Sequence, residues 1–306
     1  MDIYDLIIIG AGPAGITASV YAARKRINVL VISKDIGGQA AWSGDIENYT
    51  GYQFITGPDL AAKFEEHMRK FDIQLKENEE TIALRKIGGK IQVKTDKNEY
   101  QSLAAIVASG KRTKELGVPG EKELKNKGLT YCATCDAPLF SGKDVAVIGG
   151  GNSALDAVLQ LIRIAKHVYL INITADLGGD AVMRDQAQAS KLVTVLNNSR
   201  VTAVSGGKMV SSIKVISSGK EEILPVEGVF VEIGLIPNSE FAVELEKNEY
   251  AEIKVNSYNE TNIEGIFAAG DVTNVPEKQI IIAAGEGAKA ALTAFRYLVQ
   301  HKFNPQ

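Results

Sequence analysis

Apolar positions crowd together near the start of the chain. "YDLIIIG" (Tyr4–Gly10) is a β-branched run without polar alternation, the pattern of a strand buried on both faces. "AGPAG" interrupts it, and "ITASVYAARKR" then places apolar residues at helical spacing before a second strand-like run, "INVLVI". The same order returns after Gly142 in "DVAVIGGGNSALDAVLQLIRIAKHVYLIN": strand, glycine turn, helix, strand. The chain therefore reads as two copies of one βαβ architecture, not as a short-period repeat.

Between the copies, Gly57-Pro58 opens a helix through "DLAAKFEEHMRKF", with proline at a position that suits a first turn. "KIGGK" then predicts a hairpin turn between strands Ile82–Lys86 and Lys90–Thr95. Glycine- and lysine-rich "SGKRTKELGVPGE" (Ser109–Glu121) marks one domain junction and "GLIPNSE" (Gly234–Glu240) a second. The tail returns to strand and helix, "GIFAAGD" and "QIIIAAGEGAKAALTAFRYLVQ". The expected organisation is α/β: a Rossmann-like, three-layer domain at 114–244, inserted into a discontinuous one at 1–113 and 245–306.

Composition changes this picture only by exclusion. With 34 basic and 37 acidic residues among 306, the net charge of −3 offers no basic field for nucleic acid or an anionic membrane. The apolar N-terminal run carries Asp2 and Asp5 where a leader would be basic, and it contains Gly10, Gly12, Pro13 and Gly15, so a cytoplasmic location is expected.

Gly10-x-Gly12-x-x-Gly15, with Pro13 and Ala14 inside it, follows a strand and opens a helix. In that context the first glycine makes the turn, the second admits a pyrophosphate, and the third lets helix pack on strand. Gly149-x-Gly151-x-x-Ala154, enclosing Asn152 and Ser153, repeats the motif. Two dinucleotide sites suggest a flavin beside a nicotinamide, since hydride transfer needs a donor and an acceptor. A duplicated scaffold that has lost its ligand is the alternative for the second copy.

Cys132 and Cys135, in "TYCATCDAPLF", are the only cysteines. Zinc would need two further ligands, and His67, His167 and His301 are far away in sequence, so no metal is expected. A C-x-x-C pair can form a disulfide whose thiols are tuned by a helix end or a nearby acid. Asp136 is placed to exchange a proton with such a thiol; a polar cap is its alternative role.

"GAGPAG", "GGQ", "YCATCD", "GGGNSA" and "FAAGDV", in this order, make the sequence resemble the low-molecular-weight thioredoxin reductases from end to end. Its middle and C-terminal parts resemble still more the reductase core of the alkyl hydroperoxide reductase flavoprotein, in "GGGNSALDAV", "VEIGLIPN" and "KQIIIAAGEGAKAAL". The resemblance implies FAD along the first fingerprint and the segment Ser33–Ala40, which includes Lys34, Gly38 and Gln39. Gln39 and Asn48 would lie near the isoalloxazine, Gly270-Asp271 at the ribityl chain, and Gln279 and Ile280 against the ring. It also implies that Cys135 faces flavin, that Cys132 attacks the partner disulfide, and that Asp136 is the acid-base group. Members of this family are homodimers whose middle domain rotates, which would put hinges near Arg112 and Pro237. The lone tryptophan, Trp42, suits either flavin or packing, and Ser33 stands where many such folds carry a ribose-binding acid.

At the second fingerprint the sequence departs from the NADPH-specific relatives, which carry His-Arg-Arg after the second strand of the middle domain. Here that strand ends "VYLINITADLGGD". Asn172 and Thr174 can bond ribose hydroxyls, whereas Asp176 and Asp180 would repel a 2′-phosphate; Lys166 precedes the strand and Arg184 lies well past it. NADH is favoured over NADPH, with ferredoxin or another donor left open. The expected activity is FAD-dependent reduction of a thioredoxin-like protein through Cys132 and Cys135. One rival feeds a peroxide-reducing system through a separate small redoxin, no N-terminal redoxin domain being legible here; another is a flavin-binding sensor without turnover.

Overall fold

The computed structural model describes residues 3–43 and 45–302; Asp2, one of the two acids noted at the N-terminus, lies outside them. The chain forms two compact units, an outer one of residues 1–112 and 236–306 and an inner one of residues 113–235. Residues 236–244, expected in the inserted domain, belong instead to the outer unit. Ala242 is fully buried there and Phe241 packs against the same core.

In the outer unit, β1 (Ile3–Ala11), α1 (Pro13–Arg24) and β2 (Val29–Ile36) form the first βαβ turn. The short helix α2 (Gln39–Trp42), the strand pair β3 (Asp45–Ile46) and β4 (Ile55–Thr56), and helix α3 (Gly57–Arg69) follow. Thr56 caps α3 by accepting from Asp59 N at 3.2 Å. Next come β5 (Gln74–Lys76), the hairpin β6 (Thr81–Ile87) and β7 (Lys90–Thr95), and β8 (Glu99–Val107). The sheet runs β5-β2-β1-β8-β7-β6.

After β9 (Lys111–Thr113) the inner unit runs through α4 (Glu121–Leu124), β10 (Leu129–Thr130), α5 (Ala133–Asp136), β11 (Asp144–Ile148), α6 (Asn152–Leu161) and β12 (His167–Ile171). Helix α7 (Ala181–Ala189) and β13 (Val193–Leu196) complete its parallel sheet layer, joined later by β17 (Gly228–Val231) in the order β10-β17-β11-β12-β13. An antiparallel meander, β14 (Ser199–Gly206), β15 (Val210–Ser217) and β16 (Lys220–Pro225), comes between β13 and β17. β18 (Leu235–Pro237) leads back to the outer unit, which ends with β19 (Ile266–Ala268) and α8 (Ile280–Lys302).

Burial explains the unbroken apolar runs. Leu6 and Ile8 of β1 pack with Ile16 and Val20 of α1 and Leu298 of α8, while Ile7 and Ile9 face Leu84, Ile91 and Val93 across the other side. β11 behaves alike: Val145 and Val147 meet Leu155, Val158 and Leu161 of α6, and Ala146 and Ile148 meet Val201, Val204, Ile213 and Val215 of the meander. Among the described residues no helix is long and apolar enough to cross a membrane.

Candidate functional site

Parallel pairing collects strand ends. In the outer unit, Ile9 of β1 stands beside Val107 of β8, and Val107 beside Ala268 of β19. The turns after β1 and β19 thus leave the same edge of the sheet, which brings Gly10–Gly15 and Gly270-Asp271 together from opposite ends of the sequence. Gly270 (φ +74) is needed at that meeting, because a Cβ there would stand 2.9 Å from the Ala14 Cβ.

The three glycines of the first fingerprint do different work. A Cβ at Gly10 (φ +107) would lie 2.4 Å from the Ala108 carbonyl oxygen, and one at Gly15 would lie 1.9 Å from the Gly10 oxygen. Those two glycines therefore serve the fold. At Gly12 the nearest protein atoms, in Gly37 and Gly38, are 4.0 Å from the ideal Cβ, so the space is bare for a ligand rather than needed by the chain. Gly12 also precedes α1, whose first turn has Pro13 at its start, no side-chain cap and no acid. Such an end suits an anionic group, and the residues fit the pyrophosphate of a dinucleotide.

Ser33 is buried and ties β2 to this turn: its Oγ accepts from Ala11 N at 3.0 Å and donates to the Asp35 carbonyl at 2.5 Å. Lys34 pairs with Glu80 at 3.1 Å in the open. Gln39 begins α2 directly after Gly38, and Trp42 ends it, exposed. Asn48 Nδ2 donates to Gln279 Oε1 at 3.2 Å across 231 residues of sequence, and Ile280 packs against Ile46, Ile55 and Leu60. The Asp271 carboxyl is pushed up by burial, an effect opposed by Lys278 and Lys111. Those lysines share Glu252, at 3.3 and 2.5 Å, in a cluster of charges that the sequence did not announce.

In the inner unit four strand ends stand side by side. Thr130 pairs with Phe230, and Ile148 with both Val231 and Ile171, so the segments carrying Cys132, Glu232, Gly149 and Asn172 leave one edge of the sheet. This is the edge at which parallel α/β sheets hold ligands. Gly149 (φ +140) is excluded from bearing a side chain by the Glu232 carbonyl, 2.3 Å from its ideal Cβ; Ala154 is fully buried beneath the turn. Gly151 has nothing within 4 Å and precedes α6, which lacks a side-chain cap. It is the bare position of the second fingerprint, with Ser153 exposed in the turn beyond it.

Asn172, expected to touch ribose, is committed elsewhere. It is 3% exposed, its Nδ2 reaches the Thr174 and Asp176 carbonyls and Asn197 Oδ1 at 2.9–3.1 Å, and its Oδ1 accepts from Thr174 Oγ1 at 3.0 Å. A side chain this saturated shapes the loop and has little left for a ligand. It also explains Gly150, whose ideal Cβ would lie 2.2 Å from Asn172 Oδ1. Asn152 likewise holds the far end of the loop, accepting from Asp180 N at 2.7 Å.

Cys132 and Cys135 are joined as a disulfide across α5. Cys132 is the helix N-cap, its Sγ accepting from Cys135 N at 3.2 Å. Asp136 accepts a hydrogen bond from Thr130 Oγ1, and that hydroxyl in turn accepts from Cys132 N at 3.2 Å, so threonine links acid to cysteine backbone. Glu232 completes the turn by accepting from Ala133 N at 3.1 Å. The sequence points to no role for Thr130 or Glu232 by itself; Glu232 is marked only by its place in "VEIGLIPN", directly after a buried strand.

Burial pushes the Glu232 carboxyl up to about 7, the Ala133 bond opposing and Asp156 adding to the rise. A carboxyl raised in the folded state holds a proton that the unfolded chain releases, so stability falls as pH rises from about 4.5 to about 7 and stays lower above. Glu232→Gln is therefore expected to stabilise the protein above pH ~7, by at most about 3 kcal/mol, and to do little at pH ~4. Thermal melts of both proteins across this range check it; an unchanged difference at all pH values would refute the linkage.

Among the described residues no group of three or more His, Cys, Asp or Glu side chains could hold a metal ion. His167 instead bonds Thr194 Oγ1 at 2.9 Å, and His301 stacks on Tyr297.

Comparison with known proteins agrees with this geometry. The chain is 41% identical over 304 residues to an NADH dehydrogenase of Ferdinandcohnia aciditolerans, covering 98% of this chain and 58% of that one. It is 40% identical to one of the alkyl hydroperoxide reductase polypeptides of Escherichia coli, covering 98% and 59%, so it spans about three fifths of these relatives. Thioredoxin reductase from Streptococcus pyogenes superposes with a TM-score of 0.91 at 34% identity, covering 97% of this chain and 98% of that one. The pyridine nucleotide-disulphide oxidoreductase family matches residues 4–287. With two glycine fingerprints and a Cys132–Cys135 disulfide on a fold shared with thioredoxin reductase, the chain belongs to the pyridine nucleotide-disulphide oxidoreductase family.

Proposed function

We propose that this protein is an FAD-dependent disulfide reductase that passes electrons from NADH to a thioredoxin-like protein through Cys132 and Cys135. The observation that carries the reading is the inner sheet edge, where the disulfide turn after β10 and a bare glycine turn after β11 leave the two strands that flank β17. Membership of the family implies FAD and a nicotinamide nucleotide. FAD, when bound, supplies the two-electron carrier between nicotinamide and disulfide.

The residues of the chain would divide the work. Gly12 and the α1 N-terminus would receive the FAD pyrophosphate, Asp271 the ribityl hydroxyls, and Asn48 with Gln279 the polar rim of the ring. Gly151 and the α6 N-terminus would receive the nicotinamide dinucleotide. At the cysteines, Asp136, oriented by Thr130, would give a proton to the departing sulfur when the disulfide opens and take one back when it closes.

NADH is favoured because, of the two cations nearest in sequence to the loop after β12, one is paired at the far end of that strand and the other is already bonded to a carbonyl of the loop itself. Arg184 Nη1 donates to the Leu177 carbonyl at 3.1 Å, and Lys166 is paired with Asp144 at 2.9 Å at the start of that strand. A 2′-phosphate would meet Asp176 and Asp180 instead. Losing a charge-assisted bond costs about 1.5–3 kcal/mol, so flavin reduction by NADH is expected to be at least about tenfold more efficient than by NADPH. Anaerobic mixing of the FAD-loaded protein with each nucleotide, followed by flavin absorbance, tests this. Bleaching by neither would turn the search to a ferredoxin-type donor.

The relatives near 40% identity favour a second reading, in which the acceptor is a small redoxin of a peroxide-reducing system. Turnover with thioredoxin against turnover with glutaredoxin-like and peroxiredoxin partners separates the two.

A further inference from the structure

Asp136 is not the only carboxyl held against the cysteine turn. Glu232 reaches it from another strand, and its contact is inside the C-x-x-C segment: Oε1 accepts from Ala133 N, the amide directly after Cys132, at 3.1 Å. The backbone of Glu232 is itself fixed. It follows β17, between β10 and β11, its N–H donates to the Ile148 carbonyl at 2.8 Å, and its carbonyl faces Gly149. We propose that Glu232 is a positioning residue of the redox pair: its carboxylate braces the Cys132–Cys135 turn at Ala133, and its negative charge opposes formation of a thiolate on the reduced pair.

The physical argument concerns competition for the same dipoles. The amides opening α5 are the groups that would stabilise an anionic sulfur at Cys132, the N-cap. Cys135 N already points at Cys132 Sγ at 3.2 Å, and Glu232 occupies the amide of Ala133. A charge at Glu232 therefore takes one donor and places like charge beside the sulfur, and both effects raise the thiol pKa.

The elements packed around Glu232 bring acids and neutral groups to that charge. Asp156 of α6 is acidic and adds to the rise in the Glu232 pKa. From α5 come the two cysteines and Asp136, itself bonded to Thr130 of β10. Tyr131, which follows β10, donates to Glu121 at 2.8 Å, and the turn after β11 brings only glycines. Because the carboxyl titrates near neutrality, thiolate formation and Glu232 ionisation are coupled: each proton lost from one makes the next harder to lose from the other.

The inference rests on reading the pair as a redox centre, but its test needs neither nucleotide nor protein partner. The FAD-loaded chain is reduced with dithiothreitol, freed of it anaerobically, and alkylated with iodoacetamide across pH ~5–10 (a range that reaches about 1.5 units or more beyond ordinary thiol and raised carboxyl pKa values). Counting labelled Cys132 and Cys135 by mass spectrometry gives the rate at each pH. Glu232→Gln keeps an acceptor for Ala133 and removes the charge, so alkylation at pH ~7 should accelerate about tenfold and the profile should reduce to ordinary thiol ionisations. Glu232→Ala should match it in charge effect and add disorder of the turn, seen as faster amide exchange at Ala133 and Cys135. Profiles of wild type and Glu232→Gln that coincide within about twofold would overturn the proposal, even if Glu232→Ala differed, because the charge would then be idle. Failure of NADH to bleach the flavin would count against the proposed function and leave this result untouched.

Discussion

Cys135→Ser is expected to lower disulfide turnover by roughly a thousandfold or more while leaving reduction of the flavin by NADH intact. The magnitude follows from the chemistry: a serine hydroxyl cannot form or exchange an S–S bond, so the intramolecular step has no substitute. The turn itself should survive the change. Cys132 Sγ accepts from the backbone N–H of residue 135, Glu232 from that of Ala133, and Asp136 from Thr130, and none of these bonds uses the Cys135 side chain. Steady-state reduction of thioredoxin, paired with stopped-flow flavin absorbance, reads both halves. If flavin reduction vanished too, the order of electron flow from nicotinamide to flavin to disulfide would be wrong.

The second large effect is expected at Gly12. Its backbone, φ −82 and ψ −173, is ordinary extended geometry, and no protein atom comes nearer than 4.0 Å to an ideal Cβ. Gly12→Val should therefore fold while filling the space we propose for the pyrophosphate, and the FAD content of the purified protein should fall roughly tenfold or more. Its unfolding should match that of wild-type protein stripped of FAD, since only the linkage to cofactor is lost. Gly10→Val makes the contrast, because φ +107 and the Ala108 oxygen at 2.4 Å leave a side chain no room; it should misfold. Gly151→Val, at φ −96 with nothing within 4 Å, should keep FAD and lose reduction by NADH. A Gly12→Val protein with a full complement of FAD would sink the assignment of that turn.

These contrasts show where reading the sequence was enough. Spacing identified both glycine turns, and apolar runs identified the strands before them. Spacing could not say which glycine serves packing and which is bare, because that depends on Ala108 and Glu232, far off in sequence. Asn172 is the sharper case. Its position after the second strand pointed to ribose, yet the loop from Thr174 to Asp176 and the distant Asn197 consume its hydrogen-bonding groups. The meander of β14 to β16 went unread, since it carries no motif.

The sequence by itself determined what local sterics and periodicity control: strand, turn and helix at each fingerprint, the hairpin at "KIGGK", and the helix after Gly57-Pro58. Tertiary structure alone decided which strand ends meet. Parallel register put Glu232 against a turn 99 residues earlier and brought Gln279 to Asn48 across 231 residues. Contacts of that range arise from burying both faces of a sheet at once, a requirement of the whole chain that leaves no mark in any short stretch of it.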